Sequence, residues 1–165
     1  MSPHLSTSTH TAWKPAATVA AVIERDHRFL LVEEETRDGL RINQPAGHLD
    51  PGESLVEACA REALEETAHR FTPTQLLGVY LWRSDSGDDA PTYLRFAFTG
   101  TLGEAIAGRA LDHGIVRTLW LSAEELAARA PLWRSPLVMR CVQDYLQGAR
   151  YPLDLLFTHP SALAR

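Results

Sequence analysis

The sequence has no long run of basic residues and no long run of apolar ones. Its 16 Lys and Arg residues stand against 21 Asp and Glu residues, which gives a formal net charge of -5. It therefore lacks the basic surface that binds nucleic-acid backbones. It also lacks the stretch of about 20 apolar residues that a membrane-spanning helix requires. We expect no nucleic-acid partner and no membrane partner.

Cysteine is scarce as well. Cys59 and Cys141 are the two cysteines, and they are far apart, with no CxxC or Cys/His spacing that suits zinc. This spacing predicts buried, reduced thiols and not a disulfide framework. The N-terminal segment has no charged stretch followed by an apolar run, as a secretory signal would. We therefore expect a cytoplasmic protein.

Length and composition are those of one globular domain. The chain has 165 residues, of which 45% are hydrophobic and 22% are charged. Residues 1–11, rich in Ser, Thr and His, are too polar to bury and predict a flexible tail. We expect one domain over residues 12–157 and a C-terminal tail over residues 158–165.

Local patterns predict a mixture of strands and helices. Residues 18–35 contain two β-rich segments around a polar turn at residues 25–27, which is typical of a hairpin. Residues 36–53 are predicted as loop, because they contain Pro45, Gly47 and a turn signal at Asp50-Pro51-Gly52. Further strands are predicted over residues 75–83, 92–102 and 115–121.

Three helix starts are visible. Ser54 with Glu57, and Ser122 with Glu125, have the spacing of capping boxes. Ser135 with Pro136 is typical of an N-cap residue followed by a first-turn proline. We expect helices from these points to about residues 68, 130 and 147. The order of elements lacks strict βα alternation and so favours an α+β fold, a three-layer α/β/α sandwich with a mixed sheet flanked by helices.

The first of these helices carries an unusual acidic face. At about 100° per residue, Glu62, Glu65 and Glu66 share one arc roughly 100° wide. A separate apolar stripe on this helix is expected to pack on a sheet; it comprises Val56, Cys59, Ala60, Ala63, Leu64 and Thr67. Glu57 lies four residues before Arg61 and is expected to contact it.

Two interpretations of the acidic face are open. The three carboxylates are either a solvated charged surface or a site for a cation. Like charges four residues apart destabilise a helix unless a cation offsets them. Hard ions such as Mg²⁺ are bound by carboxylates together with water and substrate phosphates.

The register of residues 47–69 resembles the Nudix box, G-x5-E-x7-R-E-U-x-E-E-x-G-U, where U is a bulky aliphatic residue. Ala63, Ala68 and His69 depart from it, at positions that concern packing and the end of the helix. The matching positions are Gly47, Glu53, Arg61, Glu62, Glu65 and Glu66.

The resemblance extends further, to the NudJ-type phosphatase subgroup of the Nudix superfamily. The similar blocks are WKP from Trp13, INQPAGHL from Ile42, YLRFAF from Tyr93, LWLSAEE from Leu119, RSPLV from Arg134 and GARYPLDLL from Gly148.

The resemblance implies a Nudix fold and Mg²⁺ as cofactor, with Mn²⁺ as a substitute. It implies Glu62 and Glu66 as principal ligands, Glu65 as a ligand or water-positioning residue, and the Gly47 carbonyl as a further ligand. Glu65 is also the leading candidate for the general base.

Other roles stay open. Asp112 is a second candidate for an outside ligand or the base. Glu53 and Arg61 are expected to form an ion pair that orients the carboxylates, with Glu53 as a weaker candidate for the base; their alternative is a purely structural salt bridge.

Substrate contacts are sought among loop and strand residues. His48, Arg95 and Arg134 are candidates for phosphate contacts, and Asn43 and Gln44 for contacts to a heterocycle. An aromatic platform would suit a flat ring. Its candidates are Tyr80, Trp82, Tyr93 and Trp133, although aromatic residues in strands more often belong to the core.

The resulting hypothesis is a Mg²⁺-dependent phosphohydrolase. It would release inorganic phosphate from nucleoside di- and triphosphates and from 4-amino-2-methyl-5-hydroxymethylpyrimidine diphosphate. One alternative is a pyrophosphatase for another nucleoside diphosphate derivative, such as a sugar nucleotide. Two others are a nucleotide-sensing binding module and a structural protein. The substrate is expected to be a small phosphate anhydride, and the protein a monomer or homodimer.

Overall fold

A computed structural model of the protein describes residues 12–85, 87 and 89–164. The tail predicted over residues 1–11 therefore lies outside the described residues. None of the helices in the described ranges is long and apolar enough to cross a membrane.

The described residues form nine strands, four α-helices and two short 3-10 helices. The strands are β1 Ala16–Ala21, β2 Glu24–Arg25, β3 Arg28–Thr36, β4 Gly39–Asn43, β5 Ala46–His48, β6 His69–Arg83, β7 Thr92–Ala105, β8 Ile115–Leu121 and β9 Tyr151–Pro152. The helices are α1 Leu55–Thr67, α2 Ala123–Ala127, α3 Leu137–Leu146 and α4 Pro160–Leu163, with 3-10 turns at Ala130–Leu132 and Leu153–Leu155.

The strands form two sheets. One has five strands in the order β5-β1-β7-β6-β9, in which β1 and β7 run parallel and the other pairs are antiparallel. The other has four strands, β2-β3-β4 with β8 paired to β3. The predicted mixed sheet with flanking helices is thereby confirmed.

Strand β1 packs against helices on both faces of its sheet, since its side chains alternate between the two faces. Val19 and Ala21 pack in one cluster with Cys59 of α1. Ala20 packs in the other cluster, with Cys141 of α3. The three-layer arrangement follows from this strand, which is buried on both faces.

The predicted hairpin over residues 18–35 is correct only near its turn. Asp26 and His27 adopt positive φ angles of 51° and 62°, as tight hairpin turns require, and they connect β2 to β3. The first β-rich segment, β1, belongs to the other sheet. The loop predicted over residues 36–53 was also partly wrong, because it contains β4 and β5.

Helix α1 begins as predicted, with Ser54 and Glu57 in a reciprocal capping box. It ends at Ala68, which adopts the left-handed conformation usually taken by glycine, with φ 58°. Strand β6 follows at once, six residues earlier than the predicted strand at residue 75.

The later helices differ from the prediction. Helix α2 is confined to Ala123–Ala127, and a 3-10 turn containing Pro131 follows it. Helix α3 has Pro136 at its N-cap, and no side chain caps it. The prediction that Ser135 caps this helix was therefore wrong.

Gly100 in β7 offers a test of the sheet packing. A Cβ at Gly100 would overlap the backbone carbonyl oxygen of Thr72 in β6, whereas a Cβ at Gly103 would lie 3.2 Å from the Arg70 carbonyl oxygen. We expect Gly100→Ala to lower the free energy of unfolding by about 1–3 kcal/mol, as overpacking does. Gly103→Ala is the matched control with a smaller loss. Urea unfolding of both variants checks this; equal losses would contradict it.

Candidate active site

The acidic face of α1 is partly buried. Glu62 and Glu66 are only 9% and 8% exposed, since the buried side of α1 includes them together with Ala58 and Cys59. The predicted apolar stripe was therefore placed too far round the helix: its members Val56, Ala60 and Leu64 are only half-buried. The helix presents two carboxylates to the protein interior, which excludes the interpretation of a wholly solvated face.

Arg61 connects these carboxylates to the preceding loop. Its Nε and Nη2 donate to the two oxygens of Glu53 at 2.9 and 2.7 Å. Its Nη1 donates to Glu62 at 2.8 Å and to Glu65 at 3.0 Å. The structure thus contains the expected ion pair between Glu53 and Arg61.

Arg61 also reaches the strand beside the helix. Its Nη2 donates to the carbonyl oxygen of His48 in β5 at 3.0 Å. Hydrogen bonds to Glu53 raise the pKa of Arg61, and the Glu62 carboxylate adds to this. The contact expected between Glu57 and Arg61 was wrong, because the Glu57 carboxylate instead accepts from the Ser54 backbone at 2.8 Å.

Glu66 faces β5 from the helix. Its Oε2 accepts a hydrogen bond from the Ala46 backbone N–H at 2.9 Å. The pKa of Glu66 is raised to about 8, mainly by burial and also by the nearby Glu62, Glu34 and Asp112 carboxylates, while the hydrogen bond from Ala46 opposes the shift. The pKa of Glu62 is raised by burial too, although Arg61 opposes the shift. Both anions are therefore costly here without a further positive charge.

The donor set is suited to a hard divalent cation. A Cβ at Gly47 would overlap the Glu62 carboxylate, so this glycine is what allows carboxylate and backbone to approach so closely. Glu62, Glu65 and Glu66 and the Gly47 carbonyl offer oxygen ligands alone, the type that Mg²⁺ and Ca²⁺ bind. Over the described ranges, no three His, Cys, Asp or Glu side chains already converge on one point as metal ligands do. Instead, the Glu62 and Glu65 carboxylates accept hydrogen bonds from Arg61.

Asp112 lies next to the same helix. Its backbone N–H donates to the Glu65 carbonyl oxygen at 2.9 Å, and its side chain accepts from the His113 N–H at 2.7 Å. The structure therefore brings this distant candidate close to the acidic face of α1.

A cavity of about 380 Å³ lies beside β5, between the two sheets. Five of the six predicted substrate-binding residues line it: Asn43, His48, Trp82, Arg95 and Arg134. The sixth, Gln44, is buried behind the wall, where it donates to the Val138 carbonyl oxygen at 2.7 Å and accepts from Arg95 at 3.3 Å.

The aromatic candidates divide into two groups. Trp82 and Tyr93 line the cavity and stack on each other, with ring centroids 5.7 Å apart and an interplanar angle of 15°. Tyr80 instead donates to Asp144, and the indole of Trp133 donates to the Leu126 carbonyl oxygen. The stacked pair offers a flat aromatic surface in a cavity whose other lining residues are mostly polar.

The strand register explains why residues distant in sequence line the same cavity. In the first sheet, Thr18 of β1 pairs with His48 of β5 and with Arg95 of β7, so the three lie in one row. In the second sheet, Glu34 pairs with Arg41, two positions along from Asn43. Side chains at such positions project from one face of a sheet.

Sequence reasoning missed several residues that line the cavity, among them Thr18, Glu34 and Ser135. For Glu34 a signal existed, since it continues the alternation that begins at Leu30 and Val32, and an acidic residue there points to a polar cavity. Ser135 reaches the cavity because the Arg134 N–H donates to the Ile42 carbonyl oxygen of β4 at 2.9 Å, a pairing that no local pattern predicts.

The cavity and the acidic helix meet at β5. Ala46 and Gly47 line the cavity, and the same two residues contact Glu66 and Glu62. A ligand in the cavity therefore has one end beside the carboxylates of α1.

Known proteins are similar to this chain in fold and in sequence. The NUDIX domain family matches residues 13–141. Phosphatase NudJ of Escherichia coli strain K12 is 39% identical over 144 residues, which cover 87% of this chain and 92% of that protein.

Solved structures agree. A NUDIX hydrolase from Nitrosomonas europaea is 51% identical, with a TM-score of 0.85 over 89% of this chain and 99% of its own. A MutT NUDIX hydrolase from Burkholderia pseudomallei, 18% identical, shares the fold with a TM-score of 0.66 over 80% of this chain and 98% of its own. The chain therefore belongs to the NUDIX family, as a hydrolase of phosphoric anhydrides.

Proposed function

We propose that this enzyme is a Mg²⁺-dependent phosphatase of small diphosphates and triphosphates. Its substrates would be nucleoside di- and triphosphates and 4-amino-2-methyl-5-hydroxymethylpyrimidine diphosphate, from which it would release inorganic phosphate. The observation that carries this proposal is the junction at β5, where Ala46 and Gly47 both line the cavity and contact the α1 carboxylates.

Cavity size and sequence similarity support the proposal. About 380 Å³ lies within the usual range for small-molecule sites, roughly 300–1,000 Å³. The curated relative that shares 39% identity over most of both chains is named a phosphatase.

The roles we propose are those that the resemblance to Nudix hydrolases implies, and the burial and contacts of these residues support them. Glu62, Glu66 and the Gly47 carbonyl would hold Mg²⁺, and Arg61 orients Glu62 and Glu65 by direct hydrogen bonds. A divalent ion in such a site supplies positive charge to the phosphate oxygens and acidifies bound water. Glu65 is the more exposed carboxylate, at 36% of its side chain against 12% for Glu62. We therefore assign Glu65 to positioning the attacking water and accepting its proton.

The far end of the substrate would occupy the rest of the cavity. Trp82 and Tyr93 would supply a stacking surface for it. We assign His48 and Arg134, which also line the cavity, to contacts with the phosphate groups. Arg95 is buried and bonded to Asn43 and Gln44 at 3.4 and 3.3 Å. Its proposed role is therefore to fix those two amides.

The first prediction from the proposed function concerns activity and products. We expect Mg²⁺-dependent release of inorganic phosphate from the pyrimidine diphosphate and from nucleotides, with more than about 100-fold lower activity in Glu66→Gln, because a buried ligand is lost. Glu57→Gln is the matched control on the same helix, where Gln still accepts from Ser54. Phosphate and pyrophosphate are assayed separately, with and without chelator. If the enzyme acts only on sugar nucleotides and releases monophosphates, the pyrophosphatase alternative is favoured. If it binds nucleotides without turnover and chelator does not change the binding, the sensing module is favoured.

The second prediction concerns Gly47. An added methyl group must displace the Glu62 carboxylate, which ends a flexible side chain. We expect Gly47→Ala to lower kcat/KM by about 100-fold, as small misplacements at a site do. The free energy of unfolding should change by less than about 1 kcal/mol. Activity assays and urea unfolding check both, with Gly103→Ala as an active control. Full activity in Gly47→Ala would contradict the placement of Glu62.

The third prediction concerns pH in metal-free protein. Folding raises the pKa of Glu66 from 4.5 to about 8. Between these values the unfolded chain releases a proton that the folded protein keeps, so rising pH favours unfolding. From about pH 5 to about pH 8, Glu66→Gln should gain at least about 1 kcal/mol of stability relative to wild type. Urea unfolding in chelator measures this, and a constant difference would contradict the buried position of Glu66.

A further inference from the structure

We infer that Glu34, with the hydroxyl groups of Thr18 and Ser135, selects substrates whose heterocycle carries an amino group beside a ring nitrogen. The inference rests on the proposed function, because it names the part of the substrate that the cavity recognises. Glu34 would be a specificity-determining residue that contacts the substrate away from the reacting phosphorus.

The first observation is a set of buried polar atoms that lack partners. Across the described part of the chain, these are Thr18 Oγ1, Arg95 Nε and Ser135 Oγ. All three residues line the cavity. Buried polar side chains are normally hydrogen-bonded, and leaving one unpaired is costly. Their convergence on one cavity points to a ligand that supplies the missing partners.

The two hydroxyl groups carry most of this argument. Thr18 and Ser135 are 7% and 6% exposed, so solvent satisfies them poorly. The Arg95 guanidinium has other contacts, to Asn43, Gln44 and the nearby Cys141 thiol. A ring nitrogen with a lone pair is the kind of acceptor that a hydroxyl donor requires.

The second observation is the carboxylate of Glu34, which also lines the cavity and lies in β3 of the second sheet, whereas Thr18 lies in β1 of the first. Its hydrogen bond from Asn43 is long, at 3.4 Å, and its ion pair with Arg134 is also 3.4 Å. A carboxylate accepts at about four lone-pair positions, so capacity remains for a ligand donor. Burial raises the pKa of Glu34, and Arg134 and Asn43 oppose the shift. An amino group would supply a donor to this poorly solvated acceptor.

A planar amino-substituted ring would hydrogen-bond to the Glu34 carboxylate and to one of the two hydroxyl groups at the same time. Its amino group donates to Glu34, its adjacent ring nitrogen accepts from a hydroxyl group, and its face packs on the stacked rings of Tyr93 and Trp82. Cytosine, adenine and 4-aminopyrimidines present this edge. Uracil and hypoxanthine carry an oxygen in place of the amino group. This oxygen would face the Glu34 carboxylate, and both groups are hydrogen-bond acceptors. Sites built to bond a polar group discriminate strongly against analogues without it.

Matched pairs of substrates test the inference. We would measure kcat/KM for phosphate release from cytidine and uridine diphosphates, and from adenosine and inosine diphosphates. Wild type should prefer the amino member of each pair by at least about 10-fold. Glu34→Gln should abolish or invert the preference, because its amide can donate to the oxo group. Glu35→Gln, an exposed neighbour that does not line the cavity, is the control and should keep it.

The ratio within a pair is the readout, and not the absolute rate, since the Glu34 carboxylate also raises the pKa of Glu66. Hydrolysis without preference would overturn the inference and leave the proposed function intact. No phosphate release from any substrate would overturn the proposed function. Calorimetric titration of cytidine and uridine monophosphates in chelator then decides the inference independently. Tighter binding of the cytidine compound supports it, and equal or absent binding overturns it.

Discussion

The guanidinium of Arg61 is the interaction on which the site depends. It joins Glu53 of the loop, Glu62 and Glu65 of α1 and the His48 carbonyl of β5. Without it, the carboxylates of the helix would repel one another, and the loop, the helix and the strand would lose a group that bonds to all three. The planar fork of arginine suits this task, because it donates in several fixed directions and stays charged.

Strand β5 converts this cluster into a site. It is only three residues long, yet it pairs with β1, contacts Glu66 through the Ala46 N–H, and borders the cavity. The absence of a side chain at Gly47 lets the Glu62 carboxylate approach the strand. The chemistry of the helix and the recognition of the cavity are thus linked by backbone atoms, whose positions are fixed by the sheet.

Burial explains why the site invites a cation. The two carboxylates of α1 that face the interior are held at raised pKa values by desolvation, with Arg61 as partial compensation for Glu62. A divalent ion would favour their ionised forms and release protons on binding. The cavity beside them is lined mainly by polar residues, together with the stacked rings of Trp82 and Tyr93. Substitutions in the cavity can therefore be made without removing the carboxylates of α1.

The sequence by itself determined the acidic helix, its capping box and the register of Gly47, Glu53 and Arg61, because these features depend on residues close together in the chain. The α+β class followed from the same local patterns. Tertiary structure decided the rest. The pairing of β5 with β1, the partition of residues 18–35 between two sheets, and the arrival of Ser135 beside β4 all depend on contacts between distant segments. Local propensity carries no information about such pairing, since the same alternation of residues fits either sheet.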